Sequence, residues 1–154
     1  MPHPMDVKPP KNDSEYFERM SKAMFSAGLN WKMIENKWPN FRKAFDGFSP
    51  EAVAKFPAGR VRALMNDAGI VRNEKKIRAT VENAEAFLAI QKEHGSFKKF
   101  VQSFGKDEEK LQGALMEHFQ QLGPSSTRMF LYSSAYPLTP NEEEKAWMAG
   151  HKGE

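Results

Sequence analysis

The stretch Ala27–Trp38, "AGLNWKMIENKW", decides how the rest of the chain is read. Gly28 is a helix stop and Asn30 a preferred N-cap, so a new helix opens at Trp31. Trp31 and Trp38 lie seven residues apart on one face of that helix, with Ile34 between them. Two readings stay open on spacing alone. Both indoles can anchor a core, as most helix-spaced aromatics do, or Trp31 can present its face to a flat ligand at the helix entry. Pro39 is expected to end the helix, because the residue before a proline is pushed out of helical space.

The same punctuation continues on both sides. Upstream, Asp13 or Ser14 is expected to cap a first helix carrying Phe17, Met20, Met24 and Ala27. Downstream, Phe41, Ala44 and Phe45 predict a short third helix closed by Gly47. Ser49 and Pro50 open a fourth, and a fifth runs from about Arg60 to Asn66. Asn73 caps the longest helix, with Ile77, Val81, Ala84 and Leu88 along one face, and Gly95 ends it. Ser96 and Asp107 open two more. "LGPSST", residues 122–127, reads as a tight turn into a new helix, and Thr139-Pro140-Asn141-Glu142 as a capping box for a last helix through Trp147. No useful length of strand alternation is present, so the fold class is all-α.

The 154 residues suit one domain and bury enough surface to need no staple. Residues 1–12, with Pro2, Pro4, Pro9 and Pro10, read as a flexible arm, 13–150 as a single helical domain and 151–154 as a tail. There is no cysteine, which excludes disulfides and thiolate metal sites. No histidine pair has metal-ligand spacing, so no metal or cofactor is expected. No apolar run approaches the roughly 20 residues of a membrane helix, and the N-terminus lacks the apolar region of a secretory signal. A soluble, cytoplasmic monomer is the expectation. Net charge is +3, yet residues 1–78 carry +6 and residues 79–154 carry −3. A basic half suits a polyanion, and a solvated surface with chance asymmetry accounts for it equally well.

"AGLNW", "FRKAFDGFSPEAVA", "DAGIVRNEKKIRA", "NAEAFL", "GSF" and "LGPSST" resemble, in that order, motifs of the type I 3-methyladenine DNA glycosylases. The resemblance covers roughly Tyr16 to Ala135 and implies a helical bundle of the helix-hairpin-helix glycosylase type. It implies a base pocket at Trp31, Asn30 and Ala23. A flat, cationic methylated purine, once flipped out of the duplex, would stack on Trp31. Its charge makes it a good leaving group, and no catalytic side chain is assigned. Trp38 is read as core. Glu18 resembles a family glutamate, and a surface or helix-start role is expected for it.

The departures are as informative. Ala23 stands where the family has a glutamate that accepts hydrogen bonds from the damaged base. A proline arm replaces a "YHDxEWG"-like segment with a second stacking aromatic. The family's zinc-holding cysteines have no counterpart. One lost hydrogen bond to a charged group is worth about ten- to a hundredfold if it acts in the transition state.

In "LGPSST" the resemblance implies a DNA hairpin. Gly123, Ser125 and Ser126 would offer unpaired backbone N–H groups to a phosphate, with Thr127 and Arg128 adding to the grip. An ordinary helix corner fits the same residues. The hairpin contains no lysine, so a strand-cleaving amine is absent. The expected function is excision of an alkylated purine of the 3-methyladenine type from double-stranded DNA. The alternatives are a non-catalytic DNA-binding module on this fold, or a helical interaction domain that has lost DNA.

Overall fold

The protein is described by a computed structural model covering residues 7–150. Every regular element among them is a helix: α1 (Asp13–Ser26), α2 (Trp31–Ala44), α3 (Pro50–Ala54), α4 (Ala58–Leu64), α5 (Glu74–His94), α6 (Phe97–Gln102), α7 (Glu108–His118), α8 (Pro124–Ser133) and α9 (Glu142–Gly150). A 3-10 turn, Asp46–Phe48, follows α2. Residues 1–6 and the 151–154 tail lie outside the described residues.

The bundle is built around α1, which packs on α2, α5, α6 and α8. Its buried stripe, Phe17, Met20 and Met24, has the helical spacing expected. Phe17 meets Phe48 and Phe87 at ring-centroid distances of 5.8 and 5.3 Å, and Phe87 stacks on Phe97 at 4.7 Å. The helix starts follow the capping chemistry. Asn30 Oδ1 accepts from Lys32 N and Met33 N, and Ser49, Asn73, Ser96 and Asp107 cap α3, α5, α6 and α7.

Three expectations are corrected. Pro39 does not end α2, which runs on to Ala44 and absorbs the predicted third helix. Pro39 faces solvent, while Trp38 and Phe41 stack at 4.9 Å on the inner face, and that burial outweighs the missing backbone bond. Asn12, not Asp13 or Ser14, caps α1. Asp13 instead accepts from Phe97 N and Gln91 Nε2, tying the start of α1 to the α5–α6 junction. Residues 7–12 lie against the bundle. Pro10 is buried, and Arg19 Nη1 donates to Lys8 O at 2.5 Å. The capping box of α9 lies two residues later than expected, with Asn141 N donating to Glu144 and Glu144 N to Asn141 Oδ1. Thr139 bonds Glu108 of α7.

The basic start of α5 is partly used inside the molecule. Lys76 Nζ donates to Phe25 O and Ala27 O, the last carbonyls of α1, where a cation complements the dipole. Burial pushes its pKa below the ordinary lysine value. Arg78 pairs with Glu74 at 3.0 Å, and Arg72 and Lys75 are exposed.

Candidate base pocket and hairpin

Three helices each turn one stripe toward a common hollow. Arg19, Lys22 and Ala23 come from α1, Trp31 and Glu35 from α2, and Met129 and Ser133 from α8. Each set repeats at three or four residues, the spacing that places side chains on one helix face. Val7 closes a side. The cavity has a volume of about 350 Å³, within the roughly 300–1,000 Å³ of small-molecule sites.

The two tryptophans part company here. Trp38 is 6% exposed and stacks between Phe41 and Phe48, whose ring is 3° from parallel at 5.2 Å. Its Nε1 donates to Glu18 Oε2 at 2.8 Å. Trp31 is 44% exposed, although it starts the same helix, and lines the cavity. Gly28 enables this. At φ +74° it turns the chain out of α1, and Asn30 restarts the helix with Trp31 at its first position. Asn30 itself is exposed, and its side chain is spent on the cap. Ala23 is 2% exposed, and its methyl lies in the wall where it accepts nothing.

The charges of the cavity are two cations and one carboxylate. Arg19 Nη1 donates to Ser133 O at 2.9 Å and to Lys8 O, and so pins three distant segments together. Lys22 Nζ meets Glu35 Oε2 at 2.6 Å across the α1–α2 seam. Glu18 lies in a neighbouring polar cleft, where Arg42 also reaches it at 3.1 Å. It supports Trp38 and is not the surface residue expected.

The hairpin turn joins α7 to α8. Gly123 is the N-cap of α8, Pro124 its first residue, and no side chain caps it. Gly123, Pro124 and Ser125 are exposed, which leaves the backbone of this turn accessible. Ser126 and Thr127 are buried, and the Thr127 hydroxyl is enclosed without a partner. Arg128 is turned inward. Its guanidinium donates to both Glu144 oxygens at 2.6 Å and to Thr139 O at 2.8 Å. Thr127 and Arg128 are thus withdrawn from the expected grip: one faces the core, and the other binds α9.

Tyr132 Oη donates to the same Glu144 carboxylate at 2.8 Å. Burial alone would raise the Glu144 pKa, but bonds from Arg128, Asn141 N and Tyr132 outweigh it and lower the carboxyl to about 2. Burial, reinforced by Glu144, raises Tyr132 to about 12. The acidic run at Glu142–Glu144 therefore does more than complement a helix dipole.

This architecture has known counterparts. Residues 7–130 match the family model described as methyladenine glycosylase. The chain belongs to the methyladenine glycosylase family. It is similar to the DNA-3-methyladenine glycosylase of Haemophilus influenzae, 35% identical over 97 residues that cover 63% of this chain and 52% of that protein. The DNA-3-methyladenine glycosylase 1 of Escherichia coli is 38% identical over 96 residues, 62% of this chain and 51% of that one. The chain thus spans about half the length of these curated relatives. Among solved structures, 3-methyladenine DNA glycosylase I of Staphylococcus aureus superposes with a TM-score of 0.76 at 28% identity, covering 84% of this chain and 79% of that one. A form of 3-methyladenine DNA glycosylase I in complex with 3-methyladenine gives 0.75 at 28%, covering 89% and 86%.

Within this member of the methyladenine glycosylase family, one positioning residue escaped the sequence reading. Asn83, buried on α5, accepts from Gln120 N at 2.7 Å through Oδ1 and donates to Gln120 O at 3.2 Å through Nδ2. One amide side chain thereby fixes the strand of chain that enters the hairpin, beside the left-handed Gln121 at φ +60°. An asparagine on the inner face of a predicted helix was the available signal, since a buried amide needs partners. Among the described residues no group of three or more His, Asp or Glu side chains is placed to hold a metal ion, and no helix is long and apolar enough to cross a membrane.

Proposed function

We propose that the chain removes an alkylated purine of the 3-methyladenine type from duplex DNA. The observation that carries this reading is the exposed Trp31 indole at a cavity of about 350 Å³, in a methyladenine glycosylase fold. The lesion base leaves the stack and lies on the indole, held by stacking and cation–π attraction. Water then bonds to C1′ of the sugar, and the N-glycosidic bond breaks with its electron pair moving to the base. That pair neutralises the base's positive charge, and the water proton goes to solvent. The leaving group is already activated, so the step needs no cofactor and no dedicated acid. The backbone of Gly123–Ser125 takes the role of phosphate contact, which positions the duplex without reading its sequence.

The test is release of 3-methyladenine from a methylated duplex under single-turnover conditions. Loss of one aromatic stacking contact, about 1–3 kcal/mol, predicts that Trp31→Ala slows release by about 5- to 150-fold. No release by the wild type above the Trp31→Ala control, at any enzyme concentration, would rule out catalysis.

One observation favours a second reading. The wall contains the inert Ala23 methyl and two cations, Arg19 and Lys22, which oppose a cationic guest. A module that grips DNA without excision would show steeply salt-dependent duplex binding and no base release.

A further inference from the structure

We propose that Glu35 is the residue that selects the occupant of the Trp31 cavity, accepting hydrogen bonds from the N–H edge of a flat, electron-poor nucleobase, with Lys22 as its competitor when the cavity is empty. This rests on the base-binding reading above and adds the specificity determinant that Ala23 does not supply.

Glu35 follows Trp31 by one helical turn, so its carboxylate rises from α2 beside the indole. It is the one carboxylate among the residues lining the cavity. The Ser133 carbonyl at the wall already receives Arg19, as does the Lys8 carbonyl. The Ser133 hydroxyl donates to Phe130 O at 2.8 Å and carries no charge.

The Glu35 carboxylate is half-satisfied. Among the described residues its protein partner is Lys22, which meets Oε2 at 2.6 Å. An ionised carboxylate offers about four lone-pair sites, so Oε1 keeps its capacity to accept. A base stacked on Trp31 would present its amino and ring N–H donors to that oxygen, and a positive ring would strengthen the contact.

Lys22 has an alternative seat. Its Nζ already lies 5.5 Å from the Trp38 ring centroid, and the polar cleft shared with Glu18 adjoins it. It can release Glu35 to a guest without stranding its own charge. Both side chains are partly exposed, at 30% for Lys22 and 47% for Glu35, so their pairing adds little to folding.

The two partners therefore act on binding with opposite sign, which an ordinary salt bridge between helices would not do. The experiment titrates free 3-methyladenine and free adenine into wild type, Glu35→Gln, Lys22→Met and Trp31→Ala, with thermal unfolding as a folding control. Glu35→Gln is expected to weaken 3-methyladenine about tenfold or more and adenine much less, collapsing the discrimination between them. Lys22→Met is expected to tighten 3-methyladenine severalfold by removing the competitor for the Glu35 carboxylate. If the two variants shift affinity equally, or neither shifts it while Trp31→Ala abolishes binding, the Glu35 assignment is wrong and the base pocket stands. If the wild type binds neither base, both fall.

Discussion

Acid should detach α9 before it unfolds the rest of the chain. The perturbation is protonation of Glu144, whose carboxylate receives Arg128, Tyr132 and Asn141 N. Its pKa is lowered from 4.5 to about 2. At 1.36 kcal/mol per unit, the ionised form is linked to roughly 3 kcal/mol of stability. The group is 6% exposed, so solvent screening takes away little of this. The folded pKa is the lower one, so the contribution is complete above pH 4.5 and is lost as pH falls from 4.5 toward 2. Glu144→Gln isolates the effect. At pH 7 it strands the Arg128 charge and should cost about 3–5 kcal/mol, a large part of the roughly 5–15 kcal/mol of a domain. Urea unfolding of both proteins, followed by circular dichroism from pH 7 down to pH 2, should show their stability difference shrinking by roughly 3 kcal/mol below pH 4.5. Parallel acid curves would refute the reasoning, because Glu144 would then titrate as an unpaired carboxylate.

Two further outcomes are expected. Trp38→Ala should destabilise the fold by about 3–5 kcal/mol, whereas Trp31→Ala should leave the unfolding midpoint nearly unchanged, as calorimetry would show. Asn30→Ala removes the cap of α2 and should cost about 0.5–2 kcal/mol. It should also fray the turn that presents Trp31, visible as broadening of the Trp31 indole NMR signals together with weaker base binding.

The helices were legible because their punctuation is local. Asn30, Ser49, Asn73, Ser96 and Asp107 each cap the helix expected of them, using only bonds within three residues. Pro39 misled because its local penalty is outweighed by a distant partner set: Trp38 stacks on Phe41 and Phe48. Trp31 is exposed because it stands at the helix entry, and the part proposed for it comes from the family likeness. The opposite cavity wall was not legible. Arg19 and Ser133 meet only through the packing of α1 on α8, a pairing that no periodicity announces, and Val7 joins them from the segment before α1. The same holds for Arg128. In the sequence it is a cation beside a hairpin, and its commitment to Glu144 is visible only in three dimensions.

The Arg19 bridge joins carbonyls at positions 8 and 133 across the cavity wall. A hollow assembled from such remote segments does not exist in the denatured chain, so its occupants bind the native form alone. At one common concentration each must then raise the melting temperature more the tighter it binds, the native state gaining roughly 2.7 kcal/mol when a guest is present at a hundred times its dissociation constant. A panel of methylated and unmethylated bases ranked by thermal shift would therefore reveal the natural guest even in a protein that cleaves nothing.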